Sequence, residues 1–139
     1  MFAYAVRLAL GLLLISLFHC DSGWGLLSLD DRLTPRERAI VEHALLEWAS
    51  VTPGDELMTR MNLDIVVCPN VFGERYAGAF KGATICLFRR GLNQSAIGED
   101  YDEVFTHVVM HELGHAHGLD HAPIKAASAV MTARWSGWS

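Results

Sequence analysis

The alternation of apolar and polar residues predicts two main helices. In residues 35–50, apolar side chains recur at the period of an amphipathic helix, at Ile40, Val41, Ala44, Leu45 and Trp48. Thr34 is suited to cap this helix, Pro35 to its first position, and Glu37 to close a capping box. The acidic run 100–103 is suited to a helix N-terminus. From there to Ala116 apolar residues appear almost all round, which predicts a second, centrally buried helix.

Short apolar runs between these helices predict strands. Residues 63–68 are expected to form a buried strand that ends at Pro69, and residues 83–88 a further strand that ends at Arg89. Residues 26–31 form either a short strand or a connection. The glycine-rich stretch 73–82 is predicted to be a loop. Separate helices and strands of this kind indicate an α+β domain.

The N-terminus is the most apolar part of the chain. An apolar run over residues 8–18 follows a short start with one positive charge, Arg7. This run has the length of the hydrophobic region of a signal peptide and is short for a membrane-spanning helix. We predict that residues 1–22 are a signal peptide or membrane anchor and that residues 23–139 form one domain. Cys20 lies in a loose match to a lipoprotein cleavage box, so its lipidation is an open alternative.

The size, net charge and cysteine content of the chain limit the kinds of protein that it can be. The 139 residues suffice for one domain, and a net charge of −5 excludes the basic surface that nucleic-acid binding requires. Cys68 and Cys86 remain after any cleavage of the leader. In an exported chain two such cysteines favour a disulfide, with two buried free thiols as the alternative.

The segment 111–121 carries the pattern HExxHxxGxxH. On a helix, His111 and His115 lie one turn apart on the same face and can reach one metal ion. Glu112 lies beside them, where it can act on water without being a ligand. Gly118 stands where a helix commonly ends in the left-handed conformation, so the chain can turn back and bring His121 in as a third ligand. Three ligands leave one position open, which is typical of catalytic zinc.

Two further histidines leave alternatives open. A structural zinc site would need a fourth ligand, and His107 and His117 are nearby. His117 lies well around the helix from the ligand pair and is expected to point elsewhere. His107 continues the stripe of His111 and His115, so its role stays unresolved between packing, support of a ligand and ligation. A core helix whose histidines bond only to the backbone is the remaining alternative.

Residues 107–131 resemble the zinc signature of the metzincin metallopeptidases, which include matrixins, astacins and archaemetzincins. Met131 resembles the methionine of their Met-turn. The resemblance implies a minimal metzincin-like zincin fold of the α+β class, a small twisted sheet packed on two main helices with the zinc site on the second. Some metzincins carry a tyrosine two residues after that methionine. This chain has Ala133 there, so no tyrosine role is carried over.

The residues and the resemblance together predict an exported zinc-dependent endopeptidase. One Zn²⁺ is held by His111, His115 and His121, and Glu112 acts as general base. The substrate is a peptide or protein. We expect a monomer that is secreted or periplasmic, with membrane attachment only through a retained N-terminal segment or a lipidated Cys20.

The resemblance also implies a substrate-binding strand. In metzincins a strand at this place is the sheet edge beside the cleft, and peptides pair with it. The residues expected to do so are Ala83, Thr84, Ile85, Cys86 and Leu87. The alternative is an interior strand with no role in binding. Trp135 and Trp138 could line a substrate pocket, pack in the core or anchor the surface.

Three other functions compete with this interpretation. An exported binding module could keep the zinc site without proteolysis. A gluzincin-type peptidase with a downstream carboxylate ligand is disfavoured, because no Asp or Glu follows Asp120. A small membrane-anchored interaction protein would bind no stoichiometric zinc.

Overall fold

Three helices and four strands make up the part of the fold that the structure describes. The computed structural model describes residues 27–51, 62–69, 76–122 and 130–132. The helices are α1 (Pro35–Val51), α2 (Arg89–Ser95) and α3 (Tyr101–Ala116), and the strands are β1 (Leu27–Leu29), β2 (Leu63–Val67), β3 (Gly78–Lys81) and β4 (Thr84–Leu87). The predicted leader 1–22, Cys20, Ala133, Trp135 and Trp138 lie outside the described residues.

The two main helices follow the sequence prediction closely. At the start of α1 the capping box is present: the Thr34 hydroxyl accepts the Glu37 N–H at 3.1 Å, and the Glu37 carboxylate accepts the Thr34 N–H at 2.9 Å. At the start of α3, the Asp100 carboxylate accepts the N–H groups of Asp102 and Glu103. These side chains satisfy donors that a helix start leaves without partners, which fixes where each helix begins.

The strands form one sheet in the order β1-β2-β4-β3. β1 pairs in parallel with β2 and β2 in parallel with β4, while β3 runs antiparallel to β4. Leu63, Ile65 and Val67 alternate with less buried residues, so one face of the sheet enters the core. Most buried apolar residues of that core are contributed by the sheet, α1 and α3, and they include Val41, Ala44, Ile65, Ile85, Leu87, Phe105, Val109 and Leu113. This is a minimal zincin-like α+β fold, as predicted.

The expectation that residues 83–88 form the edge of the sheet is wrong. β4 pairs with β2 on one side and with β3 on the other, with Ile85 opposite both Ile65 and Phe80. The carbonyl of Ala83 accepts the Asp64 N–H at 2.9 Å. A peptide therefore has no open side of β4 to pair with, and this excludes edge pairing for Ala83, Thr84, Ile85, Cys86 and Leu87.

β4 does not lie at the edge because residues 73–82, which the sequence predicts to be a loop, contain the first strand of a hairpin. β3 occupies residues 78–81, and the chain reverses through Gly82, which has φ +67°, before entering β4. A glycine adopts that conformation without the steric cost that a side chain brings. The reversal places β3 at the outer edge of the sheet, a position that the sequence interpretation had given to β4.

Helix α2 is not predicted by the sequence, because Arg89 marks only the end of the strand 83–88 there. In the structure Arg89 is the first residue of a helix. A Cβ on Gly91 would lie 1.9 Å from the Tyr76 carbonyl oxygen, so only glycine allows α2 to pack against the backbone of Tyr76 and Ala77.

A buried polar network joins the starts of all three helices. Glu37 is 2% exposed. Its carboxylate pairs with the Arg89 guanidinium and accepts the Tyr101 hydroxyl at 2.9 Å. Arg89 also donates to the Arg32 carbonyl at 2.7 Å. Burial opposes ionisation of Glu37, but the hydrogen bonds from Arg89, Thr34 and Tyr101 outweigh it and hold the pKa of Glu37 below its usual value.

Cys68 and Cys86 form a disulfide with a Cα–Cα distance of 5.3 Å, as predicted. The Cys68 N–H donates to the Leu87 carbonyl, so the bridge joins the end of β2 to the neighbouring strand β4. A disulfide is consistent with an oxidising compartment. Within the described ranges, none of the helices combines the length and apolar character needed to cross a membrane.

Candidate metal centre and active site

Helix α3 ends in a Schellman motif that turns the chain back toward the helix. Gly118 has φ +86°, its N–H donates to the His115 carbonyl, and the Leu119 N–H donates to the Gly114 carbonyl at 3.0 Å. The sequence predicted this left-handed glycine. Because the helix stops here, the following residues reverse direction and bring His121 beside His115.

The three predicted ligands come together. The Nε2 atoms of His115 and His111 are 3.1 Å apart, and so are those of His115 and His121. A tetrahedral zinc ion with Zn–N bonds of about 2.0–2.1 Å separates its nitrogen ligands by roughly 3.3 Å. The observed spacing is close to that value. Among the described residues these three histidines form the cluster that could hold a metal ion, and neither His107 nor His117 belongs to it.

The hydrogen bonds of the other ring nitrogens fix the orientation of two ligands. His111 Nδ1 lies 2.8 Å from the Val130 carbonyl oxygen, and His115 Nδ1 lies 2.7 Å from that of Leu119. A carbonyl oxygen only accepts, so Nδ1 carries a proton, and in the neutral ring Nε2 then keeps its lone pair. This is the tautomer in which histidine binds a metal through Nε2. Burial also lowers the pKa of His111, which favours its neutral form. The residues present therefore fit a zinc ion.

Residues 130–132 contact both α3 and the segment that carries His121. The Val130 carbonyl holds His111, and the Met131 carbonyl accepts the Ala122 N–H at 2.7 Å, next to His121. Met131 is buried, and a Cβ on Gly114 would lie 2.1 Å from its sulfur, so the thioether packs directly on the helix that carries the ligands. One short segment thus contacts both the ligand helix and the loop of the third ligand.

Glu112 is buried beneath the edge strand β3. It is 6% exposed, and a Cβ on Gly78 would lie 3.0 Å from its Cγ and 3.2 Å from its Oε1. Burial raises the pKa of Glu112 to about 7, although neighbouring His115 and a hydrogen bond from the Phe80 N–H act in the opposite direction. The carboxylate lies near His115 and accepts the N–H of Phe80 in β3.

His107 and His117 have other surroundings. The ring of His107 lies 6.3 Å from that of His111, and burial lowers the pKa of His107. It also lines a groove of about 730 Å³ between α1 and α3, together with Ile40 and Met110. The ring of His117 stacks on Trp48 at 5.1 Å. The sequence did not predict the stacking of Trp48 on His117, because the two residues lie far apart in the chain.

The family model of zincin-like metallopeptidases matches residues 70–129. The match covers β3, β4, α2, α3 and the loop that carries His121, and it stops before Met131. No curated protein and no solved structure matches the chain significantly. Together with the cluster of three histidines, the family match supports a zinc metallopeptidase of the zincin type.

Proposed function

We propose that this protein is an exported zinc-dependent endopeptidase of the metzincin kind. One catalytic zinc ion would be held by the Nε2 atoms of His111, His115 and His121. The observation that carries the proposal is the convergence of these nitrogens while the Nδ1–H groups of His111 and His115 are held by backbone carbonyls. The match to zincin-like metallopeptidases supports it.

Glu112 is proposed to be the general base. When bound, zinc supplies a Lewis acid that acidifies water and polarises the scissile carbonyl. Glu112 accepts the proton from the attacking water and returns it to the leaving amine. The hydrogen bond from the Phe80 N–H restricts where this carboxylate points. Met131, packed beneath the ligand helix, would serve as the Met-turn residue.

The substrate is proposed to be a peptide or protein that adds as a strand to β3. β3 pairs with β4 on one side, and none of the described strands pairs with its other side. An extended peptide can form backbone hydrogen bonds with such an edge. The contact between Phe80 and Glu112 brings the general base next to this strand, which supports β3 in place of β4 as the substrate-binding strand.

Export and a monomeric state complete the proposal. The disulfide between Cys68 and Cys86 supports a secreted or periplasmic location. Membrane attachment would depend on residues 1–22, or on lipidation of Cys20, and we propose no nucleic-acid partner.

The proposed function is tested by metal analysis and proteolysis of the purified protein. We expect one zinc per chain and cleavage of a peptide library that a chelator stops and added zinc restores. Glu112→Ala should keep its zinc and lose activity by roughly 10²–10⁴-fold, since it removes the proton acceptor. Undiminished cleavage by Glu112→Ala would refute the role of this residue. A zinc-loaded wild type that cleaves no peptide would favour a binding module.

The ligand set is tested by single substitutions. His121→Ala should weaken zinc binding by roughly 100-fold or more, because one of three ligands is lost. His43→Ala is the matched control, since this exposed histidine of α1 lies near Glu47 and outside the cluster. Zinc affinity is measured by competition with a chromogenic chelator. Unchanged affinity in His121→Ala would contradict the assignment of the third ligand.

A further inference from the structure

Trp48 makes a hydrogen bond to the helix that carries two of the zinc ligands. Its indole N–H, near the end of α1, donates to the Met110 carbonyl at 3.0 Å. A helix carbonyl has two lone pairs and uses one for the bond within the helix, so the indole can occupy the other. The bond therefore joins α1 to α3 immediately before His111.

The same indole fills space one turn further along α3. A Cβ on Gly114 would lie 3.1 Å from Trp48 Cζ2 and 2.1 Å from the Met131 sulfur. Glycine at this position thus admits two side chains against the helix backbone. Trp48 and Met131 hold the turn between His111 and His115.

A third contact lies at the end of the helix. The ring of Trp48 stacks on that of His117, with centroids 5.1 Å apart and planes inclined by 28°. His117 is the C-cap of α3. Met110, Gly114 and His117 lie three and four residues apart, so they form one stripe along the helix, and Trp48 covers it. The ligands His111 and His115 lie in the same turns.

We propose that Trp48 is a positioning residue for the zinc centre, an inference that rests on the proposed zinc site. The last turn of a helix tends to fray, and in α3 this turn carries His115 and leads through Gly118 to His121. By bonding before the first ligand and stacking after the second, Trp48 holds this turn in the geometry that brings the three Nε2 atoms together.

The proposal is tested with Trp48→Phe and Trp48→Leu in the full-length protein. Phe removes the N–H and keeps an aromatic ring, whereas Leu removes the stacking as well. Val41→Ala is the control, since it opens a cavity in the core from the same helix two turns earlier. Zinc affinity is measured by competition, thermal stability by circular dichroism, and ligand geometry by the visible absorption spectrum of the Co²⁺-substituted protein.

We expect zinc affinity to fall about 10-fold in Trp48→Phe and up to about 100-fold in Trp48→Leu, the range found when supporting residues of metal ligands are removed. The Co²⁺ spectrum should change in both variants and stay unchanged in Val41→Ala. A loss of stability in the Trp48 variants with wild-type affinity and spectrum would overturn the proposal, because it would show that Trp48 is ordinary core packing.

The outcome separates this inference from the proposed function. A wild-type protein that binds zinc and cleaves nothing overturns the peptidase proposal alone, since affinity and spectrum still report on Trp48. A wild-type protein without affinity for zinc overturns both.

Discussion

Two buried glutamates near opposite ends of α3 have opposite surroundings. Glu37 meets a guanidinium, a phenol hydroxyl and a backbone N–H, and its pKa is held below the usual value. Glu112 receives one backbone N–H, and burial raises its pKa to about 7. A buried carboxylate surrounded by donors holds helices together. A carboxylate whose pKa is raised by burial beside convergent imidazoles is suited to the proposed proton transfer.

The largest expected effect comes from removing the partner of Glu37. Arg89→Met leaves a buried carboxylate without its cation, so we expect a loss of about 3–5 kcal/mol in the free energy of unfolding. Zinc affinity of the folded variant should stay close to that of the wild type. Urea unfolding and metal competition measure the two quantities. Arg36→Met is the control, because its pair with Asp102 is exposed and should contribute about 1 kcal/mol or less.

If Arg89→Met were no more destabilising than Arg36→Met, the network at Glu37 would not hold the fold. A large loss of zinc affinity in the folded variant would mean that the two ends of α3 are coupled. The two glutamates would then not have separate roles in stability and in the zinc site.

A smaller effect is predicted for the pH dependence of stability. In protein stripped of metal, Glu112 binds its proton more tightly when folded, because its pKa of about 7 lies above the unfolded value of 4.5. This tighter binding contributes at most about 3 kcal/mol to the free energy of unfolding. The contribution is complete below pH 4.5 and is lost as pH rises through 7. Glu37 acts with the opposite sign: its contribution is present above pH 4.5 and is lost as pH falls through its lowered pKa.

Urea unfolding of chelator-treated protein between pH 3 and 8 measures both slopes. Glu112→Gln should abolish the decline in the free energy of unfolding between pH 4.5 and 7. The loss of stability below pH 4.5, which Glu37 causes, should remain. The same decline in wild type and Glu112→Gln would show that another group is responsible.

The smallest effect is expected at the contact between β3 and Glu112. Gly78→Ala places a Cβ 2.7 Å from Val108 Cγ1 and 3.0 Å from Glu112 Cγ. We expect a loss of about 1–3 kcal/mol in stability from overpacking, and peptidase activity should fall more than zinc affinity because Glu112 is displaced. Ala79→Gly weakens the same strand without adding an atom near Glu112 and is the control. Equal activity in the two variants would argue against a role for this contact.

Local signals predicted the two main helices and the cluster of three histidines well. The capping box of α1, the left-handed Gly118 and the spacing of the three histidines each depend on residues a few positions apart. The cysteine pair was also predicted, from the few possible partners in the chain. These features are fixed by short-range geometry, which a sequence displays directly.

Features that depend on strand order or distant packing could not be predicted in the same way. Whether β4 lies at the edge depends on where the hairpin places β3, and the turn at Gly82 was the available signal for that hairpin. Helix α2 depends on Gly91 meeting the backbone of Tyr76. The hydrogen bond from Trp48 to Met110 of α3 joins residues 62 positions apart, and the helical periodicity of α1 indicated only that Trp48 faces the core.

The disulfide has a consequence for the proposed peptidase. Cys68 and Cys86 enclose a stretch of chain that includes all of β3, with a sequence separation of 18. A single break in this stretch would leave two fragments joined through sulfur. Such a nicked molecule would migrate as one chain on a non-reducing gel and separate into two only after a thiol is added. Cleavage of a peptide bond in this stretch would therefore not release either fragment from the molecule.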